Sequence, residues 1–451
     1  MKLFNLLSSL LLGSGLLLGI LLLSQPAALA AVPNDTIVVT TTIQDAIDQA
    51  NPGDTVQIPS GNYRESIVLE KAVNLIGEGS KTTIIEARSG RRVIHVRGTA
   101  VDENVTISGL TVTNGNVGEL LFLCPVSCGG GIMLEEGASP RMDDIRFLNN
   151  RADGRGGGLY ADRFSTVHIS NSEWVDNEAG DYGGGLFSAN AAVVDNGRFT
   201  NNTSAISGGG LTVVQTLTMT NTDFISNTAT FLGGAGLIDG AATVQGGTFS
   251  NNQSMQRSGG ALYVVSSLTL NDATFTNNSA GSSGGGVRAA SHVIGTNNIF
   301  THNFAHNDGG GLKVDGLATL SDVRFENNIA EDGTGGGMAS DSETTITNAI
   351  FVANQSANGG AYYHSGSSTS TITHSCFVDN SDTSVVNNGS ALLTTTDVWW
   401  GAENGPSGQG PGDGDSVGSN VAFDAFATMP ILDCDYRSGA TLYLPIIRRG
   451  P

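Results

Sequence analysis

The stretch DVRFENNIAEDGTGGGMAS, residues 322–340, decides the fold because the chain says it again and again. DATFTNNSAGSSGGGVR (272–288) and TDFISNTATFLGGAGLI (222–238) are the same phrase reworded. Aligned on its aromatic residue, the phrase recurs at Phe147, Trp174, Phe199, Phe224, Phe249, Phe275, Phe300, Phe325, Phe351 and Phe377, in steps of 25 to 27 residues. Three places after each ring comes an asparagine: Asn150, Asn177, Asn202, Asn227, Asn252, Asn278, Asn303, Asn328, Asn354 and Asn380. A Gly-rich run precedes an apolar residue once per period, at Ile132, Leu159, Leu186, Leu211, Leu237, Leu262, Val287, Leu312, Met338 and Tyr362. A fixed period of this length marks a stacked repeat architecture.

Each period holds a third segment, such as QTLTMT (215–220), SSLTLN (266–271) or ETTITN (343–348), in which apolar residues alternate with Thr or Ser. Alternation of period two is strand periodicity. Short strands separated by Gly, Asn and Asp turns, with no helical period between them, predict one rung of a parallel β-helix. The expected fold is all-β: a single right-handed parallel β-helix with three strands per rung and a short capping helix. The rings form an internal stack, and each Asn sits at a bend that needs left-handed backbone while bonding the Asn above and below. No rung stands alone, because ordering about 25 residues costs roughly 25 kcal/mol or more.

Three regions follow. Residues 1–30 read as an export signal, with Lys2, a Leu-rich run and an A-x-A site at Ala28 and Ala30. Residues 31–398 form the β-helix with its irregular first rungs. Within them TTIQDAIDQANPGD (41–54) reads as a helix N-capped by Thr42. Residues 399–451 form a C-terminal capping segment and tail, in which Trp399 and Trp400 plug the last rung.

Forty-two acids against 21 bases give a net charge of −21, which argues against a nucleic-acid partner. The mature chain carries no stretch that reads as a transmembrane segment. Four cysteines in an exported chain predict disulfides, with Cys124–Cys128 and Cys376–Cys434 preferred over the other pairings. A secreted or cell-surface monomer is expected.

The opening, TIQDAIDQANPGDTVQIPSGNYRESIVLEKAVNLIGEG (42–79), resembles that of pectin-lyase-like right-handed β-helix proteins. The pairing of GG[GA][LIVM] with F-x-x-N resembles the repeat of chlamydial polymorphic outer-membrane proteins, which are autotransporter adhesins. The first resemblance implies polysaccharide lyases or hydrolases. The second implies adhesion.

The catalytic signatures of the pectin-lyase-like enzymes are not found, and no acid/base constellation stands out. The expected function is therefore a non-catalytic, adhesin-like or glycan-contacting protein, with a polysaccharide lyase or glycoside hydrolase as the alternative. Its partner is an extracellular polysaccharide or a cell-surface glycan. Candidate catalytic residues are Asp143, Asp144, Asp162, Arg163 and Asp176. An outward Thr row, with Thr216, Thr218, Thr269, Thr345 and Thr347, is the candidate binding surface. Asp413 and Asp415, in the Gly-Asp stretch 410–416, are candidate Ca²⁺ ligands. No cofactor is required. The cluster His302, His306, Asp308, Lys313 and Asp315 reads as surface decoration, because strand and turn spacing does not bring its members to one point.

Overall fold

A computed structural model describes residues 34–118, 124, 127–432 and 434. The export signal proposed for residues 1–30 and the final LYLPIIRR lie outside them.

From Asp35 onward the chain coils as a right-handed parallel β-solenoid of about 14 turns. Its strands form three parallel sheets of 26, 15 and 10 strands, here called sheets 1, 2 and 3, the third reaching only from Asn116–Val117 to Gln355–Asn358. The three strands expected per rung are one in each sheet, and in a typical rung the sheet-1 strand is broken in two. Leu211–Val213 lies in sheet 2, Leu217–Thr220 and Asp223–Ile225 lie in sheet 1, and Thr228–Ala229 lies in sheet 3. The extra break is a residue with positive φ between the two sheet-1 strands, as at Asn196 (50°), Asn221 (46°) and Asn297 (55°). Asn and Asp tolerate that conformation better than other residues that carry a Cβ, so the strand bends there without leaving its sheet.

The rings face inward. From Phe147 through Trp174 to Phe377 they stack in register with centroids 4.1–5.1 Å apart, and Trp400 adds the last ring 4.9 Å from Phe377. The rung spacing of a parallel sheet, about 4.8 Å, fits offset stacking of flat rings.

The asparagines behave differently from the sequence reading. The left-handed residue is the one before each of them: Asn201 (55°), Ser226 (56°), His302 (54°) and even Ala353 (53°). The asparagines themselves are buried and form an amide ladder. Asn202 donates from its backbone N (3.0 Å) and its Nδ2 (2.9 Å) to Asn227 Oδ1, and again from Nδ2 to the Trp174 carbonyl (3.0 Å). The pattern repeats rung after rung to Asn380, which donates to Asp415 Oδ2 at 3.2 and 2.7 Å. Asn is needed because one small side chain must both accept and donate along the axis.

The N-terminal end is covered, as unpaired strand edges require. The helix Ile43–Gln49 buries Ile43, Ala46 and Ile47, and Asp45 N donates to its N-cap, Thr42 Oγ1 (3.0 Å). Lys71 Nζ closes the other end on the carbonyls of Ile47, Asp48 and Ala50, at 2.9, 2.9 and 3.0 Å. At the C-terminal end Val421–Phe426 pairs with Leu393–Trp399, so sheet 1 continues past residue 398. Disulfides join Cys124 to Cys128 and Cys376 to Cys434. The second ties the tail to a small apolar cluster of Val352, Val378, Trp399 and Ala427 on the outside of sheet 1. No helix among the described residues is long and apolar enough to cross a membrane.

Candidate functional site

In sheet 2 the first and third residues of each three-residue strand point inward and the middle one points out. The parallel register therefore stacks one outward residue per rung: Met133, Tyr160, Phe187, Thr212, Leu237, Tyr263, Arg288, Lys313, Ala339 and Tyr363. Leu237 follows its Gly run as Leu211 and Leu262 follow theirs, yet it does not share their inward place. The register places Gly236 there instead, opposite Leu211 and Leu262, and turns Leu237 outward. The residue after each strand makes a second outward column, which includes Asp162, Ala189, Val214, Asp239, Val265, Ala290, Asp315, Asp341 and Ser365.

A third set rises beside the floor, from the turn ahead of each Gly run: Arg155, Tyr182, Ile206, Ser207, Phe231, Leu232 and Arg257. Between this wall and the floor residues Phe187, Thr212, Leu237 and Tyr263 lies a groove of about 590 Å³. The glycine following the wall makes it possible. Gly208 has a φ of +66°, and a Cβ there would strike the side chain of Thr212.

Rings and guanidiniums organise the groove. Tyr160 and Phe187 stack at 5.5 Å. The Arg155 guanidinium lies 5.0 Å from the Phe187 centroid and 5.6 Å from that of Tyr182, and Arg257 lies 5.6 Å from that of Phe231. These are cation–π distances. Neither arginine has an ion-pair partner among the described residues. Asp239 also lines the groove, accepts no hydrogen bond among the described residues, and has its carboxyl pushed up by burial.

Beyond Tyr263 the face becomes charged. Arg288 Nη2 pairs with Asp315 Oδ2 and Lys313 Nζ with Asp341 Oδ1, each at 2.5 Å, and Ser365 Oγ donates to Asp341 Oδ1 at 2.7 Å. Burial pushes the Asp315 carboxyl up despite its cationic neighbours. Burial acts the same way on Asp341, but hydrogen bonds from Lys313 and Ser365 outweigh it and hold that carboxyl down. This face thus gathers two ion pairs whose members the sequence reading did not bring together. The groups come from rungs about 25 residues apart and meet only through the register. One signal existed: Asp162, Asp239, Asp315 and Asp341 occupy the same place in the repeat.

The residues singled out from sequence do not converge. Asp143 accepts from Ser170 Oγ and Asn171 Nδ2 (both 2.7 Å), and Asp144 from Ser80 Oγ (2.5 Å). Asp162 accepts from the backbone of Glu136 and Phe164, Arg163 lies over the Phe164 ring, and Asp176 holds a left-handed corner. These contacts tie down turns on different faces. Thr218, Thr269 and Thr345 do share an outward column of sheet 1, with Thr347 in the next, but Thr216 precedes its strand. Asp413 pairs with Asn404 (2.9 Å), and Asp415 ends the Asn ladder. No group of three or more potential ligands gathers among the described residues. His306 meets Glu331 and Asp332 (3.1 and 3.4 Å), while Lys313 and Asp315, read as decoration, belong to the sheet-2 face.

No curated protein sequence matches the chain. Solved structures do. The catalytic domain of GH87 α-1,3-glucanase in complex with nigerose shares 12% identity over 88% of this chain and 70% of its own, with a TM-score of 0.42. A mannuronic acid specific polysaccharide family 6 lyase from human gut microbiota shares 10% over 75% and 86%, with a TM-score of 0.39. The mannuronan C-5 epimerase A-module of Azotobacter vinelandii shares 14% over 86% and 95%, with a TM-score of 0.35. These are likenesses of fold alone. The family model for the right-handed β-helix region matches residues 60–229 and 232–398, most of the chain, and the chain belongs to that family.

Proposed function

We propose that this is an exported polysaccharide-binding protein whose ligand lies along the sheet-2 groove. One observation carries the reading: the groove sets the half-buried rings of Phe231 and Tyr263 beside Arg155, Arg257 and Asp239, which have no ion-pair partner among the described residues, over a floor that includes the buried Phe187. Sugar rings present apolar faces and hydroxyl edges, so stacking surfaces with a few polar anchors suit them. Arg257 and Asp239 are exposed and Arg155 is half-buried, so a ligand in the groove can reach all three. Export fits the two disulfides. The test is binding of the full chain to a panel of soluble polysaccharides, by affinity electrophoresis, against Tyr263→Ala. Retardation by a glycan that the variant abolishes is expected. A panel without retardation refutes the reading.

A second reading, cleavage of that polysaccharide, is favoured by Asp239 alone. A carboxyl with a raised pKa and no partner is suited to donating a proton to a leaving oxygen. New reducing ends or unsaturated products that vanish in Asp239→Asn, with binding retained, would establish it.

A further inference from the structure

Ligand charge is the next question, and it rests on the groove being the glycan site. The groove contains two cations and one carboxylate in a chain whose net charge is −21. On the same sheet face Arg288 and Lys313 each have a carboxylate partner. In an acid-rich chain such partners are easily supplied, yet none faces Arg155 or Arg257 among the described residues. Arg155 lies against the Tyr182 and Phe187 rings and so has less side-chain entropy to lose on binding than the exposed Arg257, which lies over Phe231 alone.

Their separation is set by the register. Backbone hydrogen bonds step from the Arg155 rung through Tyr182, Ser207 and Leu232 to Ser258, the neighbour of Arg257. Those four steps put the two backbones roughly 19 Å apart at the parallel-rung spacing, and the guanidiniums are closer, because Arg155 leans onto Tyr182 and Phe187 of the next rung and Arg257 onto Phe231 of the preceding one. Between the arginines the floor column itself is uncharged, Phe187, Thr212, Leu237 and Tyr263, and the one carboxylate, Asp239, stands in the column beside it.

We infer that the groove reads two acidic groups on one polysaccharide chain, one at Arg155 and one at Arg257. A guanidinium offers paired donors that match a carboxylate or a sulfate. Once one end is held, the second contact forms at high effective concentration, so affinity steps up when the oligomer is long enough to reach both arginines.

Polygalacturonate oligomers of graded length, sulfated dextran and neutral dextran are titrated into the full chain, Arg155→Gln, Arg257→Gln and Tyr263→Ala by calorimetry. An acidic probe should bind with a length threshold and weaken with added salt. Each arginine variant should lose roughly ten- to a hundredfold and abolish the threshold. Which acidic probe binds separates carboxylate from sulfate. Neutral dextran binding as well as both acidic probes, with the arginine variants unchanged but Tyr263→Ala silent, overturns the charge inference and leaves the groove standing. Binding of no probe, or binding indifferent to Tyr263→Ala, removes the groove reading and the inference with it.

Discussion

The inside of the coil and the outer face of sheet 2 share one periodicity and use it in opposite ways. Inside, the column through Phe199, Phe224 and Phe249 repeats the same ring, stacked within 5° of parallel. Outside, the column through Phe187, Thr212, Leu237, Tyr263, Arg288 and Lys313 changes character at almost every step. Interior side chains must fill the same cross-section in each rung at close packing, so one solution is used repeatedly. An outer residue packs against side chains of the neighbouring wall and column, several of them closely enough to be buried, and no fixed cross-section has to be filled there, so the fold leaves it free to differ. In such a solenoid, sameness reports packing and difference points to where function is placed.

That contrast breaks if the two columns respond alike to truncation. Phe275→Ala, in mid-stack with Phe249 at 4.6 Å and Phe300 at 4.9 Å, should cost about 3–5 kcal/mol in urea unfolding. Asn278→Ala should cost less, about 1–3 kcal/mol, by orphaning the backbone N and Nδ2 of Asn252 and the Phe249 carbonyl. Tyr263→Ala, on the outer column, should stay within about 1 kcal/mol of the parent while abolishing glycan binding. Comparable losses at Tyr263 and Phe275 would show that the outer rings are structural.

The repeat made the solenoid readable, because ring, asparagine and glycine run recur at one spacing. What the spacing alone did not give was which residue of each phrase adopts which role. The left-handed corner was assigned to Asn202, Asn227 and their equivalents, when it belongs to the residue before. Ser226, His302 and Ala353 at that corner hide the signal, since backbone hydrogen bonding along the rungs imposes the conformation on residues that rarely adopt it. The groove was missed for a related reason. A single glycine, Gly236, shifts its rung by one place, so Leu237 faces out where the other residues aligned with it in sequence, such as Leu211 and Leu262, face in. Arg155, Asp239 and Arg257 are unremarkable in their own rungs and become a site only when the rungs are superposed.

The smallest effect tests where the inside ends. Asp415 stands where the ladder would place its next asparagine, accepting from Asn380 N, Asn380 Nδ2 (2.7 Å) and Ser384 Oγ (2.9 Å). Burial pushes its carboxyl up, and these hydrogen bonds only partly oppose that. A folded-state pKa above the unfolded one means that the folded chain holds the proton more tightly. Stability is then greatest below the unfolded value and falls as pH rises through the window up to the folded one. Asp415→Asn keeps a side-chain oxygen to accept from Asn380 but cannot ionise. Parent and variant should therefore melt together in acid, and the variant should gain a lead of less than about 1 kcal/mol as the carboxylate forms in the parent. A lead that shrinks toward neutral pH would mean that the hydrogen bonds outweigh burial, and that the ladder prefers a charge at its end.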